Sequence, residues 1–165
     1  MKSVVSSGIF EGNGNIISNI YIKQDKNDIG LFGVIKKSII QNLSVSGNIE
    51  TTGDYVGGIV GRTLMITNKK MINCGNYCNI LGNSFVGGIA GTIGGNIERC
   101  YNKGNISGKG THIGGISGST NDIITKSCYN TGSIKGRQYI GGIFGMQGPT
   151  NARLINSYSV NKIER

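Results

Sequence analysis

The sequence predicts an all-β protein: a right-handed parallel β-helix (β-solenoid) of about five coils, each of roughly 27–30 residues. Three observations carry this. A short glycine motif recurs in tandem: Val56-Gly57-Gly58-Ile59-Val60-Gly61, then Val86 to Gly91, Ile113 to Gly118 and Ile140 to Gly145, with a shortened relative at Ile29 to Gly33. The last glycines stand at 33, 61, 91, 118 and 145, so the steps are 28, 30, 27 and 27 residues, a period that belongs to stacked supersecondary units. Composition agrees: 29 glycines and 1 proline accompany abundant isoleucine and asparagine, which favours short strands and tight corners over helices.

Taken in order, residues 1–28 read as a lead-in. Gly12 and Gly14 mark a sharp corner, and Ile17, Ile20 and Ile22 mark a strand entering a core. Lys23 to Asp28 is a polar loop. Residues 29–160 hold the repeats, and 161–165 form a short tail, all within a single domain.

The repeats align as columns. Cys74, Cys100 and Cys128 form one, with Leu43 and Ser157 beside them and Ile20 set before them. Three residues upstream stand Ile17, Ile40, Met71, Ile97 and Leu154, with Thr125 the exception. One residue upstream, asparagine recurs at 19, 42, 73 and 156, replaced by Arg99 and Ser127. Four residues downstream stand Gly47, Gly104 and Gly132, with Cys78 out of pattern. Six downstream stand Ile49, Ile80, Ile106 and Ile134. Ile59, Ile89, Ile116 and Ile143 close the motif itself. Each repeat thus offers three short apolar segments, none able to make a core alone. A coil that closes on itself and pairs with the next one about 4.8 Å higher solves this. Length variation falls in turns such as Arg62 to Lys70. A propeller blade needs a longer repeat, about 40 residues, and an antiparallel sandwich does not require each position to recur in register.

The columns also sort the chemistry. Cys74, Cys100 and Cys128 read as buried thiols acting as small hydrophobes. No CxxC pair exists and His112 is the one histidine, so no metal set is expected. Disulfides between neighbouring coils suit the parallel geometry badly. Cys78 reads as the thiol most open to reaction. Tyr101, Tyr129 and Tyr158 follow the cysteines by one residue and should face outward, as a candidate ligand or partner surface or as a packing ladder. Asn76, Asn102 and Asn130 follow by two and suit an amide ladder along the rod.

The acids are Glu11, Asp25, Asp28, Glu50, Asp54, Glu98, Asp122 and Glu164, scattered over different columns, so a paired-carboxylate glycosidase site is not expected. No nucleophile elbow accompanies His112, Gly108, Gly110 and Gly114 lack GxGxxG spacing, and no Asp recurs for calcium. No catalytic residues and no cofactor are expected. A net charge of +9 is spread along the chain, giving a solvated surface or weak attraction to an anionic polymer, with no nucleic-acid motif. No window approaches the about 20 apolar residues of a membrane span, and the N-terminus lacks the apolar stretch of a signal peptide.

Val86 to Gly91 followed by Ile97-Glu98-Arg99-Cys100-Tyr101-Asn102-Lys103-Gly104-Asn105-Ile106 resembles the GLUG repeat, and Cys128 to Ile134 with Ile140 to Gly145 resembles it again. Phe10-Glu11-Gly12-Asn13-Gly14 is similar to the segment that leads such arrays in. The resemblance spans about residues 9–160. It implies a non-catalytic solenoid spacer or adhesive segment of a larger bacterial surface or secreted protein, extracellular or cell-surface in location. The family supplies no catalytic set to transfer. The partners it implies are a host or cell-wall glycan or protein and flanking domains of a parent chain, with no specific nucleic acid and no membrane insertion. Such repeats also occur outside the catalytic part of IgA1-specific metallopeptidases, so the alternative is an accessory substrate-binding module of a secreted peptidase or carbohydrate-active enzyme. An array of this kind starting at residue 8 leaves open strand edges, and the expectation is an internal piece of something longer or a stand-alone copy whose ends pair with a partner.

Overall fold

The computed structural model describes residues 4–64, 70–121, 124–148 and 152–165. They form a parallel β-solenoid of about five turns, with no α-helix among the described residues. Two long strands begin it, β1 (Val4–Gln24) and β2 (Phe32–Thr51). Each later coil breaks into five short segments. In the third coil these are Val56–Gly57, Val60–Thr63, Lys70–Ile72, Gly75–Asn76 and Asn79–Gly82. Every pairing between coils is parallel.

The expected three segments per coil are five because two corners are built from left-handed residues rather than glycine. One corner holds Asn42, Asn73, Arg99, Ser127 and Asn156, all with φ between 47° and 55°. The recurring asparagine upstream of the cysteines is explained by this, since asparagine tolerates that conformation better than most residues. Asn73 Nδ2 donates to Asn42 Oδ1 at 2.8 Å, and Asn42 Nδ2 donates to Glu11 Oε1 at 3.0 Å. Hydrogen bonds from the Asn13 N–H first, then from the Gln41 and Asn42 side chains, hold the Glu11 carboxyl below its usual range.

The register bears out the like-on-like stacking. Ile49, Ile80, Ile106 and Ile134 stand directly above one another and are buried. Ile59, Ile89, Ile116 and Ile143 are buried in the same core, as are Cys74, Cys100 and Cys128, all free thiols. Each buried isoleucine contributes on the order of 1.5–3 kcal/mol, so the ladders carry the stability of segments too short to fold singly.

The first coil corrects the column alignment. β1 pairs with β2 from Val4 to Gln24, so the lead-in is itself part of the stack. Phe10, not Ile17, stands opposite Ile40; Ile17 stands opposite Val45 and Ile20 opposite Gly47. Two irregularities, between Glu11 and Asn15 and between Ile17 and Ile20, insert extra residues and shift the frame. Asn13, Gly14 and Asn19 take positive φ there, as bulged residues commonly do. The ladder also reaches into the tail, where Ile163 pairs with Ile134.

Cys78 is a second correction. It is buried rather than exposed, and burial pushes its thiol up to about 11. It stands where later coils have Gly104 and Gly132. Those two need glycine because the coil below runs too close for a side chain: a Cβ on Gly104 would collide with the Cys78 carbonyl, and one on Gly132 with the Gly104 carbonyl. Residues 65–69 of the Arg62 to Lys70 turn, and Asp122, lie outside the described residues.

Candidate functional site

The cysteine, tyrosine and asparagine columns lie side by side because strand residues alternate inward and outward. Asn76, Asn102 and Asn130 point in and are fully buried. Asn76 Nδ2 donates to Asn102 Oδ1 at 2.7 Å, and Asn102 Nδ2 donates to Asn130 Oδ1 at 2.7 Å. Each amide also closes its own turn: Asn102 Nδ2 donates to the Gly104 carbonyl at 2.8 Å, and the Gly132 N–H donates to Asn130 Oδ1 at 3.2 Å. The ladder ends on apolar Val45 below and on Ser159 above, where Asn130 Nδ2 reaches Oγ at 3.3 Å.

The tyrosines point out. Tyr101 stacks on Tyr129 at 5.3 Å between ring centroids, and Tyr129 on Tyr158 at 5.6 Å, both pairs 10° from coplanar. Below Tyr101 the column holds Gly75, and the Tyr101 ring leans across that gap. Its hydroxyl lies 3.1 Å from Ser44 Oγ and 3.1 Å from the Tyr77 hydroxyl. Tyr77 meets Tyr101 edge-on at 5.6 Å. Its phenol is pushed up to about 12, chiefly by the hydrogen bond to Tyr101. The Lys103 ammonium sits over both rings, at 5.6 and 5.5 Å.

The strip therefore presents ring edges, hydroxyls and one cation. The ring faces are largely spent on each other. Tyr158, 56% exposed at the end of the stack, keeps an outer face open to solvent. A sugar that stacks on an aromatic face would find room there and little room further down.

The sequence reading missed a second aromatic column. Tyr55, Phe85, His112 and Tyr139 each precede the glycine motif by one residue, and each takes a φ between 51° and 64°. Their rings stack at 4.9, 4.5 and 4.8 Å. The signal was present in the alignment, but mixing Tyr, Phe and His hid it. His112 is held inside this stack. Its Nδ1 lies 2.8 Å from Thr111 Oγ1 and its Nε2 3.2 Å from Met146 Sδ. Partial burial holds its pKa below the ordinary value. No carboxylate is among these partners.

Arg62 closes the lower end of the column. Its guanidinium lies 4.8 Å over the Tyr55 ring and clasps Asp28, Nε to Oδ1 at 2.8 Å and Nη2 to Oδ2 at 3.0 Å. Asp28 occupies the next corner position down, at φ 61°, where another ring would stand. A pocket of about 500 Å³ opens beside this pair, lined among others by Lys26, Asn27, Asp28, Tyr55 and Arg62.

Other acids among the described residues serve turns and surface pairs. Asp54 Oδ1 accepts from Asn83 Nδ2 at 2.8 Å, Asp25 accepts from Thr52 at 3.0 Å, and Glu50 pairs with Lys23 at 3.3 Å. Among the described residues no group of three or more His, Cys, Asp or Glu stands together. Among the described residues no helix is long and apolar enough to cross a membrane. No family model, no curated protein and no solved structure matches the chain.

Proposed function

We propose that this chain is a non-catalytic spacer or adhesive segment of a bacterial surface or secreted protein. The observation that carries the reading is the unbroken like-on-like registration, Ile49 to Ile163 in one column. A rod with one continuous core resists bending and holds a lateral strip at constant spacing. Tyr77, Tyr101, Tyr129, Tyr158 and Lys103 form such a strip, with hydroxyls and a cation suited to a glycan or a polar protein surface. The GLUG-like pattern of the repeats supports the same reading.

The test is binding of the whole chain to glycan arrays and to bacterial wall preparations. Tyr158→Ala should weaken binding at least tenfold while leaving the thermal midpoint within a few degrees, because Tyr158 is the most exposed ring of the strip. Unchanged binding removes the strip from the reading. A second reading, an accessory substrate-binding module of a secreted peptidase or carbohydrate-active enzyme, is favoured by the Tyr55–Arg62 pocket. Binding lost with Lys26→Ala and kept in Tyr158→Ala would select it.

A further inference from the structure

The aromatic column has a flank. Arg62, Thr92, Ser119 and Met146 stand one above another on successive coils. Each follows the ring residue of its own coil, Tyr55, Phe85, His112 or Tyr139, at the same spacing. Two of these flanking side chains reach the ring column one coil down. Arg62 reaches Asp28, as the ion pair described above. Met146 reaches His112, with Sδ 3.2 Å from Nε2.

We propose that His112 Nε2 and Met146 Sδ together form a binding site for a soft monovalent cation, Cu(I) in class, on the side of the rod. The inference is independent of what the tyrosine strip binds.

The imidazole is pinned in place. Phe85 stacks on one face at 4.5 Å and 7° from coplanar, and Tyr139 on the other at 4.8 Å and 24°. Its Nδ1 is engaged, 2.8 Å from Thr111 Oγ1. With the ring proton on Nδ1 and donated to that oxygen, Nε2 turns a lone pair toward Met146. The thioether sulfur carries lone pairs and no proton, so two donors then face one point. A hydrogen bond at one ring nitrogen is the usual support for a metal bond at the other. An ion held by both donors sits at the apex of a triangle whose base is the 3.2 Å separation, a bent arrangement with a further position open to water. The flexible methionine side chain can widen that angle. Met146 is 38% exposed, so the ion enters from solvent without any coil opening.

The donor set selects the ion. A thioether and an imidazole, with no carboxylate among their partners, suit Cu(I). Calcium and magnesium require oxygen ligands, and structural zinc takes four protein ligands. The pair also occurs once. One coil down the flanking residue is Ser119 and the ring beneath it is Phe85, which offers no lone pair.

Nuclear magnetic resonance of the whole chain, carrying 13C-methyl methionine and 15N-histidine, tests this. Ag(I) nitrate in chloride-free buffer is the redox-inert probe, added in excess over the four cysteines. The Met146 methyl and His112 Nε2 resonances should shift together and saturate together. Met146→Leu conserves volume. His112→Phe supplies the ring that the same column already holds at Phe85, on the same left-handed backbone. Both variants should keep the circular dichroism of the wild type. Met146→Leu should weaken the His112 response more than tenfold, and His112→Phe the Met146 response likewise. Neither resonance moving at that excess, one moving after the other residue is replaced, or shifts confined to the neighbourhood of the cysteines would each leave an ordinary N–H···S hydrogen bond and overturn the proposal.

Discussion

Asn102 and Gly88 face each other across the interior of one coil, and neither position tolerates much else. A Cβ on Gly88 would come within 2.5 Å of Asn102 Oδ1. The same opposition recurs at Gly58 with Asn76, at Gly115 with Asn130, and at Gly142 with Ser159. The second glycine of the motif is thus the space into which the amide ladder fits. The two patterns recur together because each coil needs both.

Gly88→Ala is therefore expected to destabilise the fold by about 2–3 kcal/mol, the usual scale for overpacking a rigid site. The Gly115 carbonyl also stands in the way, and backbone yields less than a side chain. Urea denaturation measures the loss.

Asn102→Leu removes the donor to Asn130 and the acceptor for Asn76 while keeping a similar volume. Asn76 Nδ2 keeps the Cys78 carbonyl and Asn130 Oδ1 keeps the Gly132 N–H, but each loses its bond to Asn102, and the Gly104 carbonyl loses its amide donor; three buried hydrogen bonds at about 1 kcal/mol each give an expected loss of about 3 kcal/mol. Asn76→Val should cost less, because the ladder already ends on an apolar Val45 one coil below. Equal losses in the two variants, compared by the same denaturation, would speak against a cooperative ladder.

Thr125→Val should stabilise the protein by about 1 kcal/mol. Thr125 is fully buried between Ile97 and Leu154, and its hydroxyl has no partner. Valine keeps the shape and restores the apolar column. The check is a rise of a few degrees in the thermal midpoint.

Cys78 gives a pH dependence of known sign. Its thiol is raised from 9.0 to about 11 by burial, so the unfolded chain loses this proton at lower pH than the folded one does. Its stability contribution is intact below pH 9 and is lost as pH rises from 9 toward 11, by about 2–3 kcal/mol at the end of that window. Cys78→Ala should flatten that part of the stability profile. In the native wild type at pH 8, a thiol reagent should label none of the four cysteines quickly, since all are buried.

The fold was legible because the solenoid repeats its physics in every coil. Isoleucine over isoleucine and asparagine over asparagine are visible in the alignment without any structure. The first coil was misaligned by its bulges. Alignment sees like residues, and Ile20 resembles Leu43 closely enough to hide a frame shift. Cys78 looked exposed because a cysteine in a glycine column suggests a loosened turn, yet the turn is closed by Asn76, which accepts the Cys78 N–H at 3.1 Å. The aromatic column over Asp28 and Arg62 was hidden for a different reason. Its members share a flat ring and a left-handed backbone, not a residue type. The tyrosine strip was legible as a row, but the spending of its faces on one another depends on how the rings tilt, and side-chain identity does not encode that.

The most direct test of the stacking is a nuclear Overhauser experiment on the chain with isoleucine methyl groups labelled. Ile80 should show contacts to Ile49 and Ile106, and Ile134 to Ile106 and Ile163, each within about 5 Å as one strand spacing requires. Contacts confined to residues near in sequence, or an Ile106 with no cross-peak to Ile134, would contradict the parallel coil stack and everything built on it.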